Sequence, residues 1–139
     1  MDEDSLLRES LSWAVKLVNK RIDVEALKRK YFPNEDRTLM IKILGKNADT
    51  GIVLDTVTKE IVLTRPENMP KVTVTAIMGE DTFWLCMMGK MTIAECFFDR
   101  MHPIALEGEA TLRDMKIFIA MEEEFRKVFE DVWKGGEKQ

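Results

Sequence analysis

Few side chains in this sequence have the types and spacing needed to make or break bonds. His102 is the one histidine, and it stands directly before Pro103. With no second histidine, and no His–Cys spacing of the zinc-binding kind, neither a metal centre nor a proton relay has its parts. Cys86 and Cys96 are ten residues apart, which excludes the C-x-x-C redox spacing, and both read as buried, reduced thiols. Met88-Gly89-Lys90-Met91 superficially looks like the end of a phosphate loop. Position 84 is Trp where such a loop needs Gly, and position 91 is Met where it needs a hydroxyl. There is no G-x-S-x-G elbow for an acyl-transfer serine. Glu122, Glu123 and Glu124 read as a solvated helix face rather than a metal cluster. The expectation is a protein without catalytic residues, metal or cofactor.

What stands out instead is soft apolar material. Six of the ten methionines lie between positions 87 and 121: Met87, Met88, Met91, Met101, Met115 and Met121. Phe83, Phe97, Phe98, Phe118, Phe125 and Phe129 crowd the same region. Methionine is flexible and polarizable, so it suits a surface that adapts to variable apolar shapes. The same residues can equally fill an irregular core, and composition alone leaves both readings open.

The elements that must position these residues follow from periodicity. Leu7, Leu11, Ala14 or Val15, Val18 and Ile22 recur at helical spacing, with Asp4 or Ser5 as N-cap. Asp23 caps a second helix through Ala26, Leu27 and Tyr31, and Pro33 stops it. Thr38–Leu44 reads as a strand, positions 45–51 as a turn, and Ile52–Val57 as the return strand of a hairpin. Ile61–Thr64 is a third strand. Val72–Ile77 is a fourth, with Val72, Val74 and Ala76 alternating against Thr73, Thr75 and Ile77. Asp81-Thr82 then caps a short helix, Phe83–Met88, closed by Gly89, and Thr92 caps another, Ile93–Asp99. Ile104–Leu106 is a brief strand ended by Gly108. Ala110–Trp133 is an amphipathic helix, or two, with Leu112, Met115, Phe118, Met121, Phe125, Val128, Phe129 and Val132 on one face. Strands in a run, with helices before and after, make an α+β fold with a mostly antiparallel sheet.

Length and charge bound what such a domain does. The chain has 139 residues, 45% of them hydrophobic and 33% charged, which is the size of one domain spanning positions 1–139. The net charge of −4 arises in residues 81–139, which hold 8 basic against 12 acidic side chains. No basic stripe follows a phosphate backbone, so nucleic acid is not an expected partner. No apolar run reaches the ~18 residues of a membrane span. The acidic start, MDEDSLLRES, lacks the pattern of a secretion signal, and the expected location is cytoplasmic.

The stretch Val72–Phe118, 47 residues, resembles the sterol carrier protein 2 family. The resemblance is carried by the alternating Thr/Val strand Val72–Ile77, the acidic turn Glu80-Asp81 and the Phe-led helix Phe83–Met88. It continues through the step Gly89-Lys90-Met91, the helix ending in Phe97-Phe98, the strand closing at Gly108 and the apolar helix Leu112–Phe118. Asp99, Arg100 and His102 occupy a link that is often shorter in that family, and the last helix is longer than in its smallest members. The resemblance implies a five-stranded sheet covered by helices on one face, with an apolar tunnel between the layers. It implies non-catalytic carriage of a fatty acid, acyl-CoA, sterol or isoprenoid lipid, with transient contact with membranes. Phe83, Trp84, Met87, Met88, Met91, Phe97, Phe98, Met115 and Phe118 are the expected lining, and Lys90 the expected contact to a headgroup at the mouth. The alternative is an accessory module with a filled core. It would meet a second copy or another protein through the last helix, with Phe129, Val132 and Trp133 exposed.

Overall fold

A computed structural model describes residues 3–68 and 71–137, with side chains described for residues 6–68 and 71–132. Helix α1 spans Glu3–Arg21, so the expected caps Asp4 and Ser5 lie inside it rather than ahead of it. Its stripe of Leu7, Leu11, Ala14 and Val18 is almost wholly buried, as the spacing requires. Helix α2, Val24–Tyr31, is capped by Asp23, whose carboxylate accepts the Ala26 N–H at 3.0 Å. It ends where Phe32 leaves helical geometry ahead of Pro33.

Five strands follow: β1 (Thr38–Leu44), β2 (Thr50–Asp55), β3 (Glu60–Thr64), β4 (Val74–Gly79) and β5 (Ala105–Gly108). They form one sheet in the order β3-β2-β1-β4-β5. β1 and β4 run parallel, and every other neighbouring pair is antiparallel. Strand β2 begins two residues earlier than the expected Ile52, because the turn before it is tighter. β4 starts at Val74 and extends through Gly79, since its parallel partner β1 continues to Leu44. It runs straight into helix α3 (Glu80–Met87), so the N-cap is Gly79 and not the expected Asp81 or Thr82. Helix α4 is only Ile93–Cys96, with the Thr92 hydroxyl accepting the Glu95 N–H at 3.1 Å. Helix α5 is one uninterrupted element, Leu112–Glu137.

One face of the sheet carries Leu39, Ile41, Ile43, Ile52, Leu54, Val74, Ala76 and Met78, all buried under the helices. On the other face, Met40, Lys42, Thr75 and Glu107 lie below Pro66, Glu67 and Val72 of the β3–β4 connection, around an open cleft of about 410 Å³. Helix α5 crosses the covered face and packs against α1, α2, α3, α4 and β1.

Two polar contacts fix α5. The Asp114 carboxylate, fully buried, receives Arg37 Nε at 3.2 Å and Nη2 at 2.7 Å. It also accepts the Thr111 N–H at 2.8 Å, while Thr111 Oγ1 accepts the Asp114 N–H at 3.3 Å, a reciprocal cap at the start of α5. Further along, Glu122 is 2% exposed, which corrects the expectation of a solvated face from Glu122 to Glu124. Its carboxylate accepts the backbone N–H of Ile93 and pairs with Arg126 at 3.2 Å, tying α4 to α5. Leu112, expected on the apolar face, is 76% exposed because it precedes the point where α5 meets the sheet.

Candidate functional site

An apolar groove lies between α1, α3 and the second half of α5. One part, about 440 Å³, is lined by Leu6, Trp13, Trp84, Phe129 and Val132 together with Glu9 and Ser10. The other, about 360 Å³, is lined by Trp13, Leu17, Val128 and Val132, with Lys20, Arg21 and Asp131 at its rim. Trp13 and Val132 border both, so the two parts adjoin. The Phe129 ring meets Trp84 edge-on at 5.4 Å between centroids and Trp13 at 6.1 Å. Phe83 packs edge-on against Trp84 from behind at 5.3 Å. The Trp84 indole N–H donates to Glu80 Oε1 at 3.3 Å, which sets the ring's orientation.

The rim is charged. Arg21 is engaged by Glu124 at 2.9 Å and Asp131 at 3.6 Å. Burial pushes the Glu124 carboxyl up, but Arg21 and Lys127 together outweigh it and hold the group below its ordinary range. Lys20 makes no ion pair among the described residues, and it stands where the groove meets solvent.

The expected lining residues are dispersed. Phe83, Met87 and Phe118 are buried in the core, and Met91 and Phe97 pack partly buried against it. Met115 is half-buried. Met88 is 46% and Phe98 88% exposed, so these two face solvent. Of the nine, Trp84 alone borders the groove. Lys90 is exposed at the end of α3. Phe129, which only the accessory-module alternative put on the surface, is 4% exposed, because Trp13 and Trp84 flank it. Val132 is exposed as expected, and the side chain of Trp133 lies outside the described residues.

The groove wall that sequence reasoning missed is α1. Leu6, Trp13 and Leu17 form a second helical stripe beside the buried one, at spacings of seven and four. Their recurrence was the available signal, masked by the stronger stripe of Leu7, Leu11 and Val18.

No group of side chains that could hold a metal ion occurs among the described residues, and the hydroxyl of Ser10, which lines the groove, donates to the Leu6 carbonyl at 2.9 Å. Cys86 and Cys96 are buried and unbridged with their sulfurs 4.0 Å apart, and burial pushes both thiols up in pKa. His102 lies away from the groove, its Nδ1 3.4 Å from Asp81 Oδ2. No helix is long and apolar enough to cross a membrane among the described residues.

A mixed sheet with helices over one face, and an apolar groove among those helices, is an α+β architecture. Comparison with solved structures makes this specific. Sterol carrier protein 2 from Yarrowia lipolytica, in its apo form, superposes with a TM-score of 0.56 at 10% identity, covering 88% of this chain and 91% of that one. The sterol carrier protein domain 2 of Helicoverpa armigera gives 0.53 at 18% identity, over 80% and 84% of the two chains. A ubiquinone synthesis protein, UbiJ-SCP2, gives 0.53 at 8% identity, over 92% and 97%. The chain has the sterol carrier protein 2 fold. No family model matches it. No curated protein sequence matches it either.

Proposed function

We propose that the protein is a non-catalytic binder of a lipid or other long apolar molecule, held along the α1–α5 groove. The observation that supports this reading most is the groove itself. It consists of two adjoining, mainly apolar depressions walled by Leu6, Trp13, Leu17, Trp84, Val128 and Val132, on a fold shared with solved sterol carrier proteins. Trp13 and Trp84 are the proposed walls of an entrance, with Phe83 and Phe129 behind them. Lys20 is the proposed partner of a carboxylate or phosphate headgroup, a role that its place on the groove rim supports better than that of Lys90. Of the expected lining, Met87 and Phe118, buried, and Met91, Phe97 and Met115, partly buried, are proposed to yield to the ligand if it enters more deeply.

A second reading draws on the groove's openness and on the neighbour from ubiquinone synthesis. In it the same domain serves as an accessory subunit that presents an apolar quinone-like compound to another protein. Both readings place an apolar chain in the groove.

The test is titration with a fluorescent long-chain fatty acid, alongside organic extraction of the purified protein and mass spectrometry. Trp13→Ala should weaken binding at least about fivefold, since a large wall residue is lost. Trp13 is 40% exposed, so the fold should survive. A wild type that binds no chain of any length and extracts free of lipid overturns the reading.

A further inference from the structure

The chain's two cysteines take no part in the groove, yet the fold brings them together. Cys86 lies in the last turn of α3 and Cys96 at the end of α4. The chain doubles back between them at Gly89, whose φ is +74°. Both side chains are almost wholly buried, and their sulfurs stand 4.0 Å apart. A disulfide needs about 2.05 Å, so closure is an approach of about 2 Å. The backbone around each cysteine is tied down. The Gly89 N–H donates to the Cys86 carbonyl at 3.1 Å, and the Ile104 N–H donates to the Cys96 carbonyl at 3.2 Å. What remains is side-chain rotation and a small shift of α4, which is a single turn.

The surroundings decide what kind of bridge such a pair can make. Burial is the largest influence on both thiols and pushes their pKa values up. The acidic groups that act on them do the same, Glu122 on Cys86, and Asp99, Glu122 and Glu95 on Cys96. Fast, easily reduced pairs depend on a stabilised thiolate, which both attacks and favours the reduced form. That stabilisation is missing here. A bridge between these thiols would close slowly, when α4 opens, and then resist reduction. Its place bears on the site. Met87 follows Cys86, Phe97 follows Cys96, and Met91 lies between them. Under the lipid-binding reading, these are residues that yield to a deeply entering ligand.

We propose that Cys86 and Cys96 close an intramolecular disulfide by exchange with a small-molecule disulfide, and that the bridge ties α3 to α4 and restricts deep entry of the ligand. In the first step one cysteine loses its proton and attacks the small disulfide, which releases one small thiol carrying a proton. In the second, the other cysteine loses its proton and attacks the mixed disulfide, which releases the second small thiol. Two protein S–H bonds and one small S–S bond become one protein S–S bond and two small S–H bonds. The protein is oxidised by two electrons and the small disulfide reduced. The restriction of entry rests on the lipid-binding reading, whereas the bridge stands without it.

The experiment is prolonged incubation of the full chain with oxidised glutathione, followed by peptide mapping without reduction. Both thiols should be lost, and a Cys86–Cys96 linked peptide should appear within a single chain. The thermal midpoint should rise by at least about 5 °C, and a strong dithiol reductant should reverse the rise. Cys86→Ala and Cys96→Ala should show no such rise. If either variant fails to fold, the map of the wild type decides alone. Wild type that keeps both thiols, carries glutathione on each, or links only between chains overturns the bridge. In fatty-acid titration, the bridged form should bind the longest chains at least about fourfold more weakly than the reduced form, the worth of one methylene kept out of the core. Equal affinity in the two forms overturns the restriction of entry. A bridge that forms in a protein that binds no fatty acid in either form upholds the disulfide and removes the groove reading.

Discussion

Burial raises the proton affinity of Glu122, against the opposing pull of the Ile93 N–H and of Arg126. Its pKa therefore lies above the ordinary value for a glutamate when the chain is folded. The folded state then holds the proton more tightly than the unfolded one, so this group's contribution is full below about pH 4.5 and is lost as pH rises through the folded pKa. Glu122→Gln keeps the acceptor for Ile93 and removes the titration. Its thermal midpoint should exceed that of wild type most at pH 7, and the gap should close as pH falls toward 4.5. Asp36 and Glu124, whose pKa values are lowered, act in the opposite sense but are common to both proteins. A gap that widens on acidification contradicts the assignment. The place of Glu122 was legible in spacing, because Phe118, Glu122, Phe125 and Phe129 fall four, three and four apart. Its charge argued for solvent, and period was the better guide. The Arg37–Asp114 pair was not legible, since 77 residues separate partners that only the tertiary fold brings together.

At the scale of elements, the last strand depends on one backbone position. Gly108 has a φ of +93°, and a Cβ there would stand 2.3 Å from the Thr73 carbonyl oxygen. It pairs with Val74 in the register of β4 and β5. Gly108→Ala should cost at least about 2 kcal/mol, combining a strained φ with a backbone clash. Denaturant unfolding measures the loss, and amide exchange should show it concentrated in β5. A variant as stable as wild type would mean that this edge is free to shift. The sequence marked Gly108 as a strand end because glycine punctuates, but the close approach to Thr73 needed the sheet. Element identities were readable throughout. Boundaries moved where a neighbour extended an element, as β1 does for β4, or where β4 passes into α3 without a turn.

Across the molecule, affinity is bounded by how much of a ligand the groove removes from water. Fully burying about fourteen methylenes is worth roughly 11 kcal/mol, and association costs at least about 4 kcal/mol. The difference sets a ceiling near 7 kcal/mol, a Kd of about 10 μM from the chain alone. An open groove leaves part of the chain wet, so each added methylene should tighten binding by less than about fourfold. Titration across a series of fatty-acid chain lengths measures that slope. A slope at the full fourfold value would show that the ligand is enclosed and that the core opens around it. The α+β class was legible because runs of branched residues alternate cleanly with helical periods. The apolar groove among the helices was not, since a cavity depends on how closely the helices settle.

The contact between α1 and α5 joins the two ends of the described chain, with Arg21 and Glu124 paired across 103 positions. A chain emerging from the ribosome therefore makes α1 long before α5 exists to cover it. Until α5 is complete, Trp13 lacks its Phe129 neighbour. Pairings this distant slow folding, because loop closure must precede the contacts that offset it. The nascent helix is meanwhile an amphipathic segment in search of an apolar surface, the kind of species that chaperones retain. The groove draws its walls from both α1 and α5, so it is complete only once the two helices have met.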